Sequence, residues 1–295
     1  FVCKATIEYI KRRERVMSKK SIKFITMFLT TIILLAGCGS SSSENKGSSG
    51  EDGTFKVGLE AGYAPFNWTQ MNDSNDGVKI DGNAEYAGGY DVEIAKRLAK
   101  DLGKELVIVK TEWDGLVPAL TSGKIDAIIA GMSPTSERKK TIDFSDNYYT
   151  SDLVMVVKKG GEYEGATSIQ DFKGAKVTAQ LNTFHYSVID QIEGVVKKTA
   201  MDNFTAMRVA LESGMIDGYV SERPEAVSAS AANDNFEMVE FTDGFVTSED
   251  ETAIAVGLAK DSELTEKINK TLAAISEEER QNIMDTAIKI QPAAQ

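Results

Sequence analysis

The chain is predicted to fold as α/β, in two lobes of related design with a cleft between them. Two observations carry this. From Thr54 onward, strand-like and helix-like hydrophobic periods alternate, the pattern of sheets covered by helices. One helix–turn–strand unit also occurs twice. Ala119-Leu120-Thr121-Ser122-Gly123-Lys124-Ile125-Asp126 returns as Ala210-Leu211-Glu212-Ser213-Gly214-Met215-Ile216-Asp217, identical at six of eight positions.

Residues 55–59 alternate at period two and read as a strand. Residues 90–102 place Val92, Ile94, Ala95, Leu98, Ala99 and Leu102 at helical spacing. Residues 106–109 read as a strand, 116–120 as a short helix and 125–130 as a buried strand. A second set begins with a strand at 153–157. It continues with a strand at 177–179, a helix from about 186 to 192 and a strand at 216–220. Residues 264–290 form an amphipathic helical region. In each copy of the repeat a helix ends at a glycine, Gly123 or Gly214, which takes the left-handed C-terminal conformation without strain. Ligands of open α/β sheets sit beyond the carboxyl ends of strands. Loops 131–138 and 221–224 are therefore expected to face each other across the cleft.

The N-terminal residues read as an address. Met17 is followed by Lys19, Lys20 and Lys23, then by an apolar run over 24–36 that is short for a membrane span and right for a signal sequence. Leu35-Ala36-Gly37-Cys38 resembles the lipobox of bacterial lipoproteins, which implies that Cys38 is acylated and becomes the new N-terminus. Residues 39–53 are rich in Ser and Gly, a composition that tethers rather than folds. The expected division is an upstream segment and signal peptide at 1–37 and a lipidated cysteine with linker at 38–53. One lobe is expected from 54–150 with 249–295, the other from 151–248. Residues 1–16 are expected to reflect a start site placed too early. The expected location is the extracellular face of the cell membrane, held by the lipid.

Charge narrows the partners. The formal net charge is -12, but residues 1–37 carry eight basic and two acidic residues, which leaves 25 basic against 43 acidic, about -18. Such a remainder argues against nucleic acid, whose phosphates require a basic face. The two cysteines, Cys3 and Cys38, precede the folded part, and there is one histidine, His185. No disulfide framework or multi-histidine zinc site is available, and no metal or cofactor is expected.

Enzyme motifs do not hold up. Gly131-Met132-Ser133-Pro134-Thr135 approaches the G-x-S-x-G nucleophile elbow, but Thr135 replaces the last glycine. Gly123-Lys124 lacks the phosphate-loop context. Asp73-Ser74-Asn75-Asp76-Gly77 has no glutamate closing a calcium loop. What remains suits a zwitterion, which needs a forked cation for its carboxylate and an anion for its ammonium. Arg138 and Glu222 supply these, with Tyr63, Phe66, Trp68 and Trp113 as aromatic walls. Composition alone leaves Arg138 open as a solvated arginine beside Glu137, Lys139 and Lys140. It leaves Glu222 open as a helix N-terminal acid.

Read together, these residues resemble the polar amino-acid substrate-binding proteins of ABC importers, extracellular solute-binding family 3, from about residue 55 to 291. The ordered set is Tyr63-Ala64-Pro65-Phe66, Gly89-Tyr90-Asp91-Val92 with Ile94-Ala95, Trp113-Asp114-Gly115-Leu116-Val117-Pro118-Ala119-Leu120, and Ser122-Gly123-Lys124-Ile125-Asp126 through Gly131-Met132-Ser133, Thr135, Glu137-Arg138 and Phe144-Ser145. The resemblance implies a two-lobe, periplasmic-binding-protein-like fold with two crossover hinge strands, here near 149–152 and 246–250, and a central ligand cleft. It implies that Arg138 clamps the α-carboxylate with help from Gly131 and Ser133, and that Glu222, usually an aspartate in the family, takes the α-ammonium. The second lobe usually offers Gln-x-Gly-Ser/Thr to the carboxylate. Here Gln180-Leu181-Asn182-Thr183 puts Asn182 in place of the glycine, and asparagine tolerates the left-handed conformation that loop needs. Residues 71–87 are longer than the usual family turn.

The resemblance also implies that Tyr63 and Trp113 sandwich the ligand side chain. Glu60 stands where members that bind basic or amide side chains place an acid, so a basic ligand (arginine, lysine or histidine) is expected, with glutamine or another polar amino acid as the alternative. A purely structural Glu60, ending the first strand, stays open. A same-fold enzyme of prephenate-dehydratase type is the remaining alternative. The implied partners are a free polar amino acid and the permease subunits, for a protein that acts as a lipid-anchored monomer.

Overall fold

The computed structural model describes residues 53–292. The expected signal peptide, Cys38 and the linker up to Asp52 lie outside the described residues. Strand β1 (Thr54–Leu59) buries Phe55, Val57 and Leu59. Strands β2 (Gly62–Tyr63), β3 (Asn67–Gln70), β4 (Val78–Lys79) and β5 (Tyr86–Gly88) form a small antiparallel sheet. Helix α1 (Tyr90–Leu102) turns Val92, Ile94, Ala95, Leu98 and Ala99 into the core. It stops at Gly103, φ +67, whose N–H reaches the carbonyls of Ala99 and Lys100, a left-handed cap. Strand β6 (Glu105–Lys110), helix α2 (Leu116–Thr121), and strands β7 (Ala127–Ile128) and β8 (Asp143–Thr150) follow.

The chain then passes through Ser151 and Asp152 into a second sheet. Its elements are β9 (Leu153–Lys158), β10 (Lys176–Thr178), α3 (Phe184–Val188), β11 (Val196–Lys197), α4 (Phe204–Ser213), β12 (Gly218–Glu222), α5 (Arg223–Ala232) and β13 (Phe236–Val239). It returns through α6 (Glu249–Thr252) to β14 (Ala253–Leu258), then ends in α7 (Leu264–Ala273) and α8 (Glu277–Ile290).

The two five-stranded sheets share one design. The first runs β6-β1-β7-β14-β8 and the second β11-β10-β12-β9-β13. In each, the second strand lies parallel to both neighbours and the fourth antiparallel to both. The sequence repeat sits at the same place in both. Gly123 and Gly214 take φ +72 and +77. Asp126 Oδ2 accepts from the Lys56 N–H and Asp217 Oδ2 from the Lys176 N–H, each at 2.8 Å. The Asp126 and Asp217 N–H groups return to the carbonyls of those same lysines, again at 2.8 Å. The aspartate that ends each repeat therefore pins the start of the neighbouring parallel strand.

Several elements differ from the sequence expectation for local reasons. The second crossing ends in the helical turn α6 rather than a strand. Ser248 and Glu251 form a reciprocal capping box there, and three acids occupy the first turn. Helix α3 begins two residues early and passes into a 3₁₀ turn over Ile189–Gln191. The helical region at 264–290 is two helices, because Ser276 caps the second through the Glu279 N–H. Only Ala127 and Ile128 of the expected strand 125–130 join the ladder. Strand β12 sits two residues later than expected, so Glu222 is its last residue and Arg223 opens α5, with Pro224 in the first turn, where a missing N–H costs nothing. The longer stretch at 71–87 extends the first sheet. Ile80 is buried and bridges to Ile108, and the Asp81 N–H donates to the Ile108 carbonyl at 2.8 Å. Among the described residues no helix is long and apolar enough to cross a membrane.

Candidate ligand-binding site

The two crossings run side by side, with the Ser151 N–H donating to the Thr252 carbonyl at 2.9 Å. The strand ends beyond them meet in one cleft. Tyr63, Trp113, Gly131, Ser133 and Arg138 line it from the elements of the first sheet, and Gln180, Thr183 and Glu222 from those of the second. Loops 131–138 and 221–224 thus share this cleft.

Gly131 sits just beyond β7 at φ +60. A Cβ there would come within 2.6 Å of Tyr63 Cε1, so only glycine allows both the turn and the close approach. Its N–H donates to the Tyr148 hydroxyl at 3.2 Å, and that hydroxyl donates to Asp91 Oδ1 at 2.7 Å. Asn67 Nδ2 holds the other Asp91 oxygen at 2.8 Å. Asp91 is fully buried, and burial raises its pKa to about 7 against the pull of these hydrogen bonds. Asp91 and Tyr148 thus fix the loop from beneath.

Arg138 opens a 3₁₀ turn after that loop. The residue as a whole is half-buried, while its guanidinium lies deep in the cleft. Nη1 donates to the Ser133 carbonyl at 2.9 Å and Nη2 to the Asn182 carbonyl at 3.2 Å. The guanidinium lies 5.0 Å from the Trp113 ring centroid, a cation–π distance. Burial lowers its pKa to about 10, offset in part by Glu222, so it stays charged at neutral pH. Asn182 takes φ +56, and its Nδ2 donates to Asp114 Oδ1 at 2.8 Å. The asparagine keeps the left-handed turn and adds a bond that glycine lacks.

Glu222 is buried, 1% exposed. One oxygen accepts from the Tyr63 hydroxyl, and the other lies 3.5 Å from His185 Nε2. Behind it, Glu225 accepts from Arg208 Nε and Nη2 at 3.0 and 2.7 Å, from the Tyr219 hydroxyl at 3.2 Å and from the Ser221 hydroxyl. This network, buried except at Arg208, holds the end of β12, and with it Glu222.

Glu60 lies behind the cleft wall, just after β1. Its Oε2 accepts from Gln180 Nε2 at 3.2 Å, and its Oε1 has no partner among the described residues. Burial raises its pKa to about 7; Gln180 opposes this, while Glu112 and Asp114 add to it. Thr183 donates its hydroxyl to the Gln180 carbonyl at 2.7 Å, which shapes the loop that carries both.

Tyr63 and Trp113, the pair expected to flank the ligand side chain, both line the cleft. One face of the Tyr63 ring stacks on Phe66, with centroids 4.9 Å apart, and the other on Phe204, at 4.5 Å. Phe66 and Trp68 belong to the core and do not line the cleft. Phe184, His185 and Phe204 supply the walls that sequence reasoning missed. Phe204 carried a usable signal: Asn203 before it caps α4 through the Ala206 N–H at 2.9 Å. The Tyr63–Phe204 and Tyr63–Glu222 contacts close the cleft to about 10 Å³, room for one water. An amino acid enters only when these contacts part.

A sequence profile of the bacterial extracellular solute-binding proteins, family 3, matches residues 55–288. The chain belongs to this family. Its members are binding proteins rather than enzymes. Among relatives of this family-3 protein, the arginine-binding extracellular protein ArtP of Bacillus subtilis (strain 168) is 32% identical over 81% of this chain and 86% of its own length. The L-cystine-binding protein TcyJ of Escherichia coli (strain K12) is 35% identical over 68% and 72%. The crystal structure of AbpA, an amino acid ABC transporter substrate-binding protein from Streptococcus pneumoniae bound to L-arginine, superposes with a TM-score of 0.68 at 29% identity, covering 80% of this chain and 95% of that one. The two-lobe family-3 fold thus accounts for the paired sheets and the cleft between them.

Proposed function

We propose that the protein captures a polar amino acid with a cationic side chain, arginine first among them, and delivers it to the permease of an ABC importer. The charge of the cleft carries this reading. Arg138 provides one positive charge, and Glu222 and, behind the wall, Glu60 provide two negative ones, so with His185 neutral the set is net -1 when both are ionised. A ligand of net +1 complements it: carboxylate to Arg138, α-ammonium to Glu222, side-chain cation to the unpartnered oxygen of Glu60. Gly131, Ser133, Gln180 and Thr183 surround the carboxylate, and Trp113 supports the arginine that holds it. ArtP and the arginine-bound AbpA favour the same ligand, while TcyJ shows that relatives take other zwitterions. The protein acts as a receptor, without a catalytic step. The lobes, 54–150 with 249–295 and 151–248, move as units about the paired crossings, since each holds part of the ligand. Calorimetry against the twenty amino acids tests the reading. Tight binding is expected for arginine, lysine or histidine and weak binding for apolar residues; absence of heat with every amino acid overturns it.

The protein works as a monomer tethered to the outer face of the membrane by an acylated Cys38. One acyl-bearing residue at the end of a Ser/Gly tether leaves the receptor free to reach its permease. Cys38→Ala is expected to shed the protein into the medium. Retention of that variant on cells as firm as wild type shows that something other than the cysteine anchors it.

A further inference from the structure

The arrangement around Glu222 leaves one group unexplained. His185 is 5% exposed and faces the cleft, and neither ring nitrogen has a hydrogen-bond partner among the described residues. Leaving such a group unpaired in a buried site is costly. Nε2 stands 3.5 Å from Glu222 Oε1. Glu222 is itself a buried carboxylate, and its other oxygen is held by a neutral hydroxyl, that of Tyr63. A carboxylate out of water needs a positive partner. The guanidinium of Arg138 acts on Glu222 through space, but its hydrogen bonds go to the carbonyls of Ser133 and Asn182, not to the carboxylate. Among the charged and titratable groups of the cleft, Tyr63 on β2 faces Glu222, Arg138 faces the carbonyls, and Glu60 faces Gln180. His185, on the first turn of α3, is the group able to carry a proton against the free Glu222 oxygen.

We propose that His185 is the resident counter-ion of the ammonium subsite and gives up its proton when a ligand ammonium takes Glu222. This rests on the reading that Glu222 receives an α-ammonium. In the closed cleft without ligand, imidazolium and carboxylate compensate each other. The arriving ammonium takes the same carboxylate. Two cations on one carboxylate repel each other. The imidazolium therefore loses its proton to solvent, the ring stays as neutral imidazole, and charge balances with one proton released per ammonium bound. The device favours ligands that carry an ammonium and weakens them all as the medium acidifies, whatever their side chains.

The chain has one histidine, so its ring signals are unambiguous. The test uses the full-length chain without a histidine tag, in detergent, with isotope-labelled histidine, at about pH 6. Saturating arginine is expected to move the ring resonances toward those of neutral imidazole. Glu222→Gln is expected to do so without any ligand. Calorimetry of arginine in two buffers of different ionisation enthalpy, compared between wild type and His185→Asn, then reads this proton apart from the one displaced at Glu60. In His185→Asn, the loss of arginine affinity between about pH 7.5 and 5.5 is expected to be roughly tenfold smaller than in wild type, the equivalent of one pH unit. Ring resonances unchanged by bound arginine and by Glu222→Gln overturn the proposal. If calorimetry finds no amino acid that binds, the receptor reading fails separately, and the Glu222→Gln comparison still decides whether the two residues pair.

Discussion

Arg138→Ala lowers the affinity for every amino-acid ligand together. The carboxylate is common to all of them, so its partner cannot discriminate. Removing one member of a buried charge pair leaves the other unpaired and costs about 3–5 kcal/mol, roughly a hundred- to several-thousand-fold in affinity. The structure adds a second loss. The same guanidinium ties the Ser133 carbonyl to the Asn182 carbonyl and rests on Trp113, so the alanine variant also loses a link across the cleft. Arg138→Lys keeps the charge without the fork and is expected to fall between the two. Parallel titrations of arginine, lysine, histidine and glutamine measure this. Near-normal binding by the alanine variant removes the carboxylate clamp from the site.

Glu60→Gln separates ligands instead of weakening them equally. For arginine it removes the charge opposite the side-chain cation, with an expected loss on the order of a hundredfold or more. For glutamine it exchanges one hydrogen-bonding group for another and costs little. The pH dependence carries a sign. Burial raises the pKa of Glu60 to about 7 in the free protein, and a cation prefers the ionised form. Proton and cationic ligand therefore compete. Arginine affinity is full above pH 7 and falls as pH drops through 7, by up to about tenfold per unit. Glu60→Gln removes that slope and leaves the one assigned to His185. Glutamine affinity in wild type follows only the His185 slope. Equal losses across all four ligands, or an unchanged arginine slope in the variant, reduce Glu60 to a structural role.

The cleft residues divide by how local their signals are. Gly131, Ser133 and Arg138 fall in one eight-residue stretch after a buried strand, and Gln180 and Thr183 in another, so the chain order announces them. Glu222 is legible for the same reason: it ends the strand that follows the second repeat. His185 carried no such signal. One histidine on a short helix reads equally as core or surface until the fold brings it to Glu222. Of the aromatic walls, Tyr63 and Trp113 were expected and line the cleft, while Phe184 and Phe204 were missed. Tyr63 stacks on Phe66, three residues on, and on Phe204, which comes from the other lobe; no periodicity distinguishes these rings from Trp113.

By itself the sequence determined the α/β class, the two related lobes and the glycine that ends each repeat helix. These depend on hydrophobic period and on backbone demands within a few residues, and such demands are written locally. Only the tertiary structure decided which groups complete each charge. Tyr63 and Glu222 are 159 positions apart and Glu60 and Gln180 are 120 apart, and each pair meets because the crossings bring two sheets together. Burial, absent from any local pattern, raises the pKa of Glu60 and Asp91 and leaves His185 beside a buried carboxylate.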